Sequence, residues 1–428
     1  MRILHINTFD RGGAFNAALR LHEGLIAKNV NSHLLILNKS TTQPIENSSV
    51  YVTENVKRKN LPERIIRKVY NSVSRFYPDK DTLEHKQIHE KINSRQIEWF
   101  SFPDTGIDIT DHPEYKKADV INLHWVADFV DYSFLAKNIK PVVWTLHDMA
   151  PFTGGCHYSE GCRLFMSDCN VCPILNGTID PSITKRSFIY KSKIIADAKN
   201  LNLVSPSLWL LNESKQSELF KNFKHYHIPN GIDSSRFKRH DKNSAREALG
   251  LPKDKCVLLF VAFHNQNIKR KGFIFLHDAL NLLNNDSLFI CSVGNADPDT
   301  NPQNGIIDLG LIKDENKMSM IYSAADVFVI PSIEDNLPNT VIESLMCGTP
   351  VIGYAVGGIT DMVKNNENGL LCDEISSRAL AETINLFLEK RNDFNSDTIR
   401  NDTIERYDIS VQTKFYIELY LHLCNYPK

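Results

Sequence analysis

The residue types best suited to chemistry are two carboxylates within residues 331–350, PSIEDNLPNTVIESLMCGTP. Asp335 and Glu343 stand eight positions apart, and the pattern predicts a helix over residues 339–347. Glu343 then lies one turn into that helix, with Asp335 in the loop before its N-terminus. Unpaired backbone N–H groups and the positive end of the helix dipole meet at such a start, where proteins hold phosphate and other anions. A loop carboxylate beside it suits the hydroxyls of a sugar, and a helical one suits those of a ribose. Taken alone, the spacing is met more readily by helix capping and a surface carboxylate.

Three other groups stand out. Cys156, Cys162, Cys169 and Cys172 fall within 17 residues in the spacing C-x5-C-x6-C-x2-C. Four thiolates that close together can complete a tetrahedral zinc site and pin a loop with little core of its own. Reduced packing thiols explain the cluster equally well, and an iron–sulfur site lacks supporting spacing. His147-Asp148 ends an apolar run, and ligands collect at the carboxyl ends of parallel strands. A lone strand-end histidine is more often structural. Gly12-Gly13 follows the first apolar run, and glycine there lets a backbone approach a phosphate or an acceptor at the head of the next helix. The pair is shorter than the G-x-G-x-x-G of a dinucleotide site.

These groups need elements to hold them. Residues 3–7, 33–38, 118–124, 141–147 and 201–205 are short apolar runs bounded by turns, with helical spacing over 15–28. A joint containing Pro and Asn-Gly follows at 227–237, HIPNGIDSSRF. The pattern then restarts, with strands at 256–263, 287–293, 325–330 and 350–354 and helices at 272–283, 317–323, 339–347 and 377–389. Buried parallel strands read this way. The fold class is therefore α/β, as two doubly wound domains: 1–233, carrying the Cys-rich loop 156–172, and 234–408. A terminal helix in 409–428 is free to return to the first domain.

Composition narrows the function. The chain has 428 residues, 42% of them hydrophobic, enough for two or three domains at about 150 residues each. A net charge of −2 argues against coating nucleic acid through bulk charge. No apolar run reaches the roughly 18 residues of a membrane span. MRILHINTFDRGG meets charge and glycine too soon for a secretory signal, so a cytoplasmic location is expected. There, nine cysteines are thiols or metal ligands, and Cys256, Cys291, Cys347, Cys372 and Cys424 sit among apolar residues as packing. Residues 57–75 carry seven basic side chains against Glu63, with Ile65, Ile66, Val69, Tyr70 and Val73 on one helical face. Such a helix can lie on an anionic membrane surface, or pack as a solvated helix on its own domain.

With the elements in place, the chain resembles family 4 retaining glycosyltransferases over most of its length, most loosely across residues 40–115. Their hallmark is E-x7-E, written PS-x-x-E-x7-E-A-x-A-x-G-x-P. The sequence PSIEDNLPNTVIESLMCGTPVIGYAVGG departs from it at Asp335, one methylene shorter than Glu. IPNGID at 228–233 is similar to the family's entry into the donor domain, and YSAADVFVIPS at 322–332 to the strand before the acidic pair. Arg270-Lys271-Gly272 is similar to the family's K-G. The preceding Gly-Arg is missing from AFHNQNIKRKG, so Arg270 substitutes for that arginine or its role is lost. The stretch HD-x3-FTGGC-x-Y resembles a bacterial polysaccharide-assembly subgroup of colanic-acid type.

The resemblance implies a two-domain GT-B fold with the domains facing across a cleft. It implies that Asp335 touches the transferred sugar and Glu343 the nucleotide ribose. Lys271 and Arg270 would hold the diphosphate, and Gly12, Gly13, Asn336 and Leu337 would complete the donor site. His147 would face the sugar. The activity implied is retaining transfer from a UDP- or GDP-sugar to a saccharide or lipid-linked saccharide, without a catalytic cofactor. A non-catalytic nucleotide-sugar-binding subunit is the alternative. A zinc-stabilised nucleic-acid binder would rest on the cysteines alone, and nucleic acid is not an expected partner. The location implied is cytoplasmic, with peripheral contact at the inner membrane face through residues 57–75.

Overall fold

Strands β4 (Val120–Leu123) and β5 (Val142–Thr145) are buried at every residue, as strands covered by helices on both faces must be. They sit mid-sheet with β1 (Arg2–Phe9), β2 (Asn31–Asn38), β3 (Ser48–Val50), β6 (Leu201–Ser205) and β7 (Lys224–His227). The order is β3-β2-β1-β4-β5-β6-β7, and every neighbouring pair is parallel. The computed structural model describes residues 1–41, 44–51, 90, 99–175, 182–262, 269–283, 285–294 and 306–425. The basic stretch 57–75 lies outside the described residues, as does most of the loop before Arg270.

A second parallel sheet has the order β10-β9-β8-β11-β12-β13. Its strands are β8 (Cys256–Ala262), β9 (Leu288–Gly294), β10 (Ile306–Asp308), β11 (Val327–Ile330), β12 (Val351–Tyr354) and β13 (Gly369–Cys372). Alternate residues of β8 divide between two apolar clusters: Val257 and Leu259 in one, Cys256, Leu258 and Phe260 in the other. That is the period-two signature of a sheet packed on both faces. Cys291 and Cys347 join the first cluster and Cys372 the second, so these thiols pack.

Both sheets reverse their strand order once, at β1/β4 and at β8/β11. The carboxyl ends of the strands flanking such a reversal open a crevice where doubly wound folds bind ligands. The chain divides into two units, Met1–Ser205 with Leu210–His227 and Ile417–Lys428, and Pro206–Trp209 with Ile228–Tyr416. The terminal helix Ile409–Asn425 contributes to both, with Ile417 onward counted in the first unit. There the Asn122 amide of β4 donates to the Tyr420 hydroxyl at 2.6 Å. β7 ends at His227, the first residue of the 227–237 joint. Among the described residues, no helix is long and apolar enough to cross a membrane.

Candidate active site

In the second unit, β11 ends at Ile330 and hands the chain to a buried loop that carries Asp335. The turn Lys269–Lys271 folds against this loop, with the Ile333 N–H donating to the Arg270 carbonyl at 2.8 Å. Gly272 is what permits the approach. Its φ is 66°, in the left-handed region, and a Cβ there would lie 1.8 Å from the Pro331 carbonyl oxygen. Two cations are thereby delivered to one carboxylate. Lys271 Nζ donates to Asp335 Oδ2 at 2.7 Å, and Arg270 Nη1 lies 3.6 Å from the same oxygen. Ser332 Oγ donates to it at 3.2 Å. Burial pushes the Asp335 carboxyl up, but Lys271, Arg270 and these hydrogen bonds outweigh it and hold the group below the usual aspartate range. Asp335 is thus an ionised, buried acceptor.

The two cations differ. The Lys271 side chain is 37% exposed, whereas Arg270 is buried and its Nη1 also donates to the Glu334 carbonyl at 2.9 Å. Arg270 is not a solvated surface arginine. Glu343 is buried within the helix Asn339–Met346, where its Oε2 accepts from the Tyr322 hydroxyl at 3.2 Å. The helix start is positioned from before the second sheet: Asn230 Nδ2 donates to Asn339 Oδ1 at 3.0 Å, and Ser207 Oγ to Asn336 Oδ1 at 2.6 Å. Gly358 closes over the same loop, since a Cβ there would meet the Asn336 carbonyl oxygen at 1.7 Å. Leu337 packs into the adjoining apolar cluster. The structure thus brings Asp335, Asn336, Arg270 and Lys271 onto one loop pair, with Glu343 on the helix that follows.

The first unit places its own candidates at strand ends. Gly12 (φ 89°) precedes the helix Gly13–Ala27, and both glycines are exposed with open space over them. His147, just beyond β5 and half-buried, ends a chain of imidazoles whose other members, His124 and His5, are buried. His147 Nε2 meets His124 Nδ1 at 3.1 Å, and His124 Nε2 meets His5 Nδ1 at 3.0 Å. Burial lowers the pKa of His147 to about 4 against a weaker opposing pull from Asp148. Burial, with smaller contributions from neighbouring imidazoles (His5, His147 and His22 on His124; His22 and His33 on His5), holds His124 and His5 well below the usual histidine range. All three are neutral at neutral pH. Asp148 is anchored by His157 Nδ1 at 2.6 Å, Trp125 Nε1 at 2.8 Å and the Ala150 N–H at 2.9 Å. His124 and His5 were not singled out from sequence, although His124 ends an apolar run just as His147 does.

Cys156, Cys162, Cys169 and Cys172 line one pocket of about 20 Å³ with Phe100, Gly154, Leu164, Ile174 and Thr184. All nine cysteines of the chain are free thiols. Among the described residues, no group of three or more His, Cys, Asp or Glu forms a ready ligand set for a metal ion. The zinc expectation therefore meets four gathered thiols rather than a closed coordination shell. Burial raises the thiol pKa of Cys156 well above its ordinary value and that of Cys169 to about 12.

Residues 241–404 match the family described as Glycosyl transferases group 1. The match covers 164 of the 428 residues, all of them within the second unit. It runs from the start of the helix Lys242–Leu249 into the helix Ser396–Tyr407, and so contains the Asp335 loop and Glu343. The putative colanic acid biosynthesis glycosyl transferase WcaC of Escherichia coli (strain K12) is 25% identical over 366 residues, 82% of each chain. The putative teichuronic acid biosynthesis glycosyltransferase TuaC of Bacillus subtilis (strain 168) is 28% identical over 206 residues, 48% of this chain and 50% of that one. The chain spans about a third to a half of the length of the first curated relatives it matches. Alr3699/HepE of Anabaena, solved in complex with UDP and glucose, shares the two-sheet fold with a TM-score of 0.63 at 16% identity, covering 98% of this chain and 99% of that one.

Proposed function

We propose that this chain is a glycosyltransferase that moves a sugar from a nucleoside-diphosphate sugar, UDP- or GDP-linked, to a saccharide hydroxyl during polysaccharide assembly. The observation that carries the reading is the buried Asp335 carboxylate held by Lys271 and Arg270 beyond β11, beside the strand-order reversal. Breaking the bond between the anomeric carbon and a phosphate oxygen leaves negative charge on a diphosphate. Cations preset at that point lower the barrier without reorganising. Asp335, held ionised, accepts from sugar hydroxyls, and Glu343 accepts from the ribose. In the first unit, His147 is neutral at neutral pH and so is not a general acid.

The acceptor oxygen takes the place of the leaving phosphate on the same face of the sugar, with retention at the anomeric carbon. Its proton passes to the departing phosphate oxygen, so no protein base is required. A retaining route through a covalent intermediate would need a second carboxylate about 5 Å from the first. The colanic and teichuronic acid biosynthesis proteins support the polysaccharide context, and the UDP held by HepE supports a uridine donor. A lipid-linked acceptor would bring the chain to a membrane face, where the basic residues 57–75 favour anionic lipid. The test is transfer of label from radiolabelled UDP- and GDP-sugars into bacterial membrane glycolipid. Transfer by the wild type that disappears in Glu343→Ala supports the reading. Absence of transfer from every donor counts against it.

A further inference from the structure

We propose that Cys156, Cys162, Cys169 and Cys172 bind one thiophilic divalent cation, zinc by its chemistry, and that this ion ties down the segment following His147. The inference does not rest on glycosyl transfer. Between β5 and the helix Ser182–Ala196, the described chain has only two short turns of 3-10 helix, Ala150–Phe152 and Leu164–Met166. The segment is packed by Phe152, Phe165 and Leu175 rather than by regular structure, and it delivers four thiols to a single small pocket, with Cys172 in an apolar cluster of Phe100, Phe102, Leu175 and Ile183. The buried cysteines of the second unit are instead dispersed through its two apolar clusters.

The backbone around the pocket is arranged for sulfur that carries charge. The N–H groups of Ile174 and Leu175, two and three residues beyond Cys172, both donate to its Sγ, and the Gly154 N–H donates to Cys169 Sγ. A neutral thiol is a weak acceptor, whereas a metal-bound thiolate has full use for such donors. Cys169 is itself in the left-handed region at φ 50°, which costs a residue with a Cβ roughly 1–2 kcal/mol. Its N–H donates to the Leu164 carbonyl at 3.1 Å, and the Thr184 hydroxyl donates to its carbonyl at 2.9 Å.

Lys191 provides the independent observation. It is fully buried, and its Nζ donates to the carbonyls of Ala150 at 2.6 Å and Thr153 at 3.0 Å. Among the described residues, no carboxylate forms an ion pair with it. A buried ammonium held by two carbonyls and the face of the Tyr132 ring is costly unless negative charge lies close by. Burial lowers its pKa to about 8, and Cys169, Cys156, Asp148 and Asp104 pull the other way. A divalent ion bound by four thiolates carries a net charge of −2, which this ammonium offsets in part. Binding releases the four thiol protons to solvent and forms four metal–sulfur bonds, with no change in oxidation state. Zinc–sulfur bonds of about 2.3 Å require the side chains to turn inward into the pocket they already share.

The full chain, purified without chelators, is assayed for zinc by elemental analysis. Cobalt(II) exchange is then read by its thiolate charge-transfer and tetrahedral d–d absorption. The expected result is about one ion per chain with a tetrathiolate cobalt spectrum, lost in Cys169→Ser and Cys172→Ser and retained in Cys372→Ser. Should the first two variants fail to fold, release of zinc from the folded wild type by an organomercurial decides, because only thiolate ligation makes release follow thiol modification. Absence of both zinc and the cobalt spectrum overturns the proposal, as does zinc that survives in folded Cys169→Ser and Cys172→Ser.

Discussion

Replacing His147 by Gln removes one titrating group from the imidazole chain, and the effect on acid stability follows from the geometry. The pKa of His147 falls from 6.5 to about 4 on folding, because burial disfavours the charged ring. Between those values the unfolded chain binds the proton that the folded chain refuses. The contribution to stability is complete above 6.5 and is lost as pH falls toward 4. At about pH 5 the loss from this one group, relative to about pH 7, is about 2 kcal/mol. His124 and His5 add to the wild-type loss in the same direction. Urea unfolding followed by tryptophan fluorescence suits the measurement, since Trp99, Trp125 and Trp144 all lie in the first unit. His147→Gln should lose about 2 kcal/mol less than the wild type between the two pH values. An identical pH dependence in variant and wild type would refute the claim that the ring is held neutral by burial.

Other consequences concern the second unit. Gly272→Ala must relieve a left-handed φ and a Cβ placed 1.8 Å from the Pro331 oxygen, so it should destabilise by more than about 1–2 kcal/mol. Thermal unfolding should show this as a drop of about 2–4 °C per kcal/mol, and an unchanged midpoint would contradict the packing described. Lys271→Ala leaves Arg270 and Ser332 on Asp335, so the unit should stay folded by circular dichroism. Loss of one charge-assisted contact should weaken nucleoside-diphosphate binding about 10- to 100-fold. Calorimetric titration with equal affinities in the two proteins would remove Lys271 from the site.

Much of this architecture is legible in the sequence because the central strands of a parallel sheet are continuous apolar runs. VVWT and VFVI are strands on sight, and both are wholly buried. The edge strands are not legible: KHYH of β7 is partly exposed, and β3 and β10 are three residues each. Asp335 and Glu343 stand out by spacing, whereas the burial of Arg270 does not, since a basic residue next to Lys271 carries no mark of the loop that covers it. Lys191 is invisible for the same reason. Helix Ser182–Ala196 has basic residues at 185, 186, 191 and 193, and only tertiary packing distinguishes the buried one. The contacts among His5, His124 and His147 depend on strand register: His5 in β1 and Asn122 in β4 are cross-strand partners, and the β4 strand ends one residue before His124.

The central claim is a nucleotide-sugar site built on Asp335, Lys271 and Glu343. The most direct test is the thermal stability of the wild type and of Glu343→Ala against UDP, GDP, their sugar conjugates and NAD. A ligand at 100 times its Kd adds about 2.7 kcal/mol, or roughly 5–10 °C for a domain of this size. The account predicts such a shift with one nucleoside diphosphate and its sugars, none with NAD, and its loss in Glu343→Ala. No shift with any nucleotide, or a shift that survives in Glu343→Ala, would contradict it.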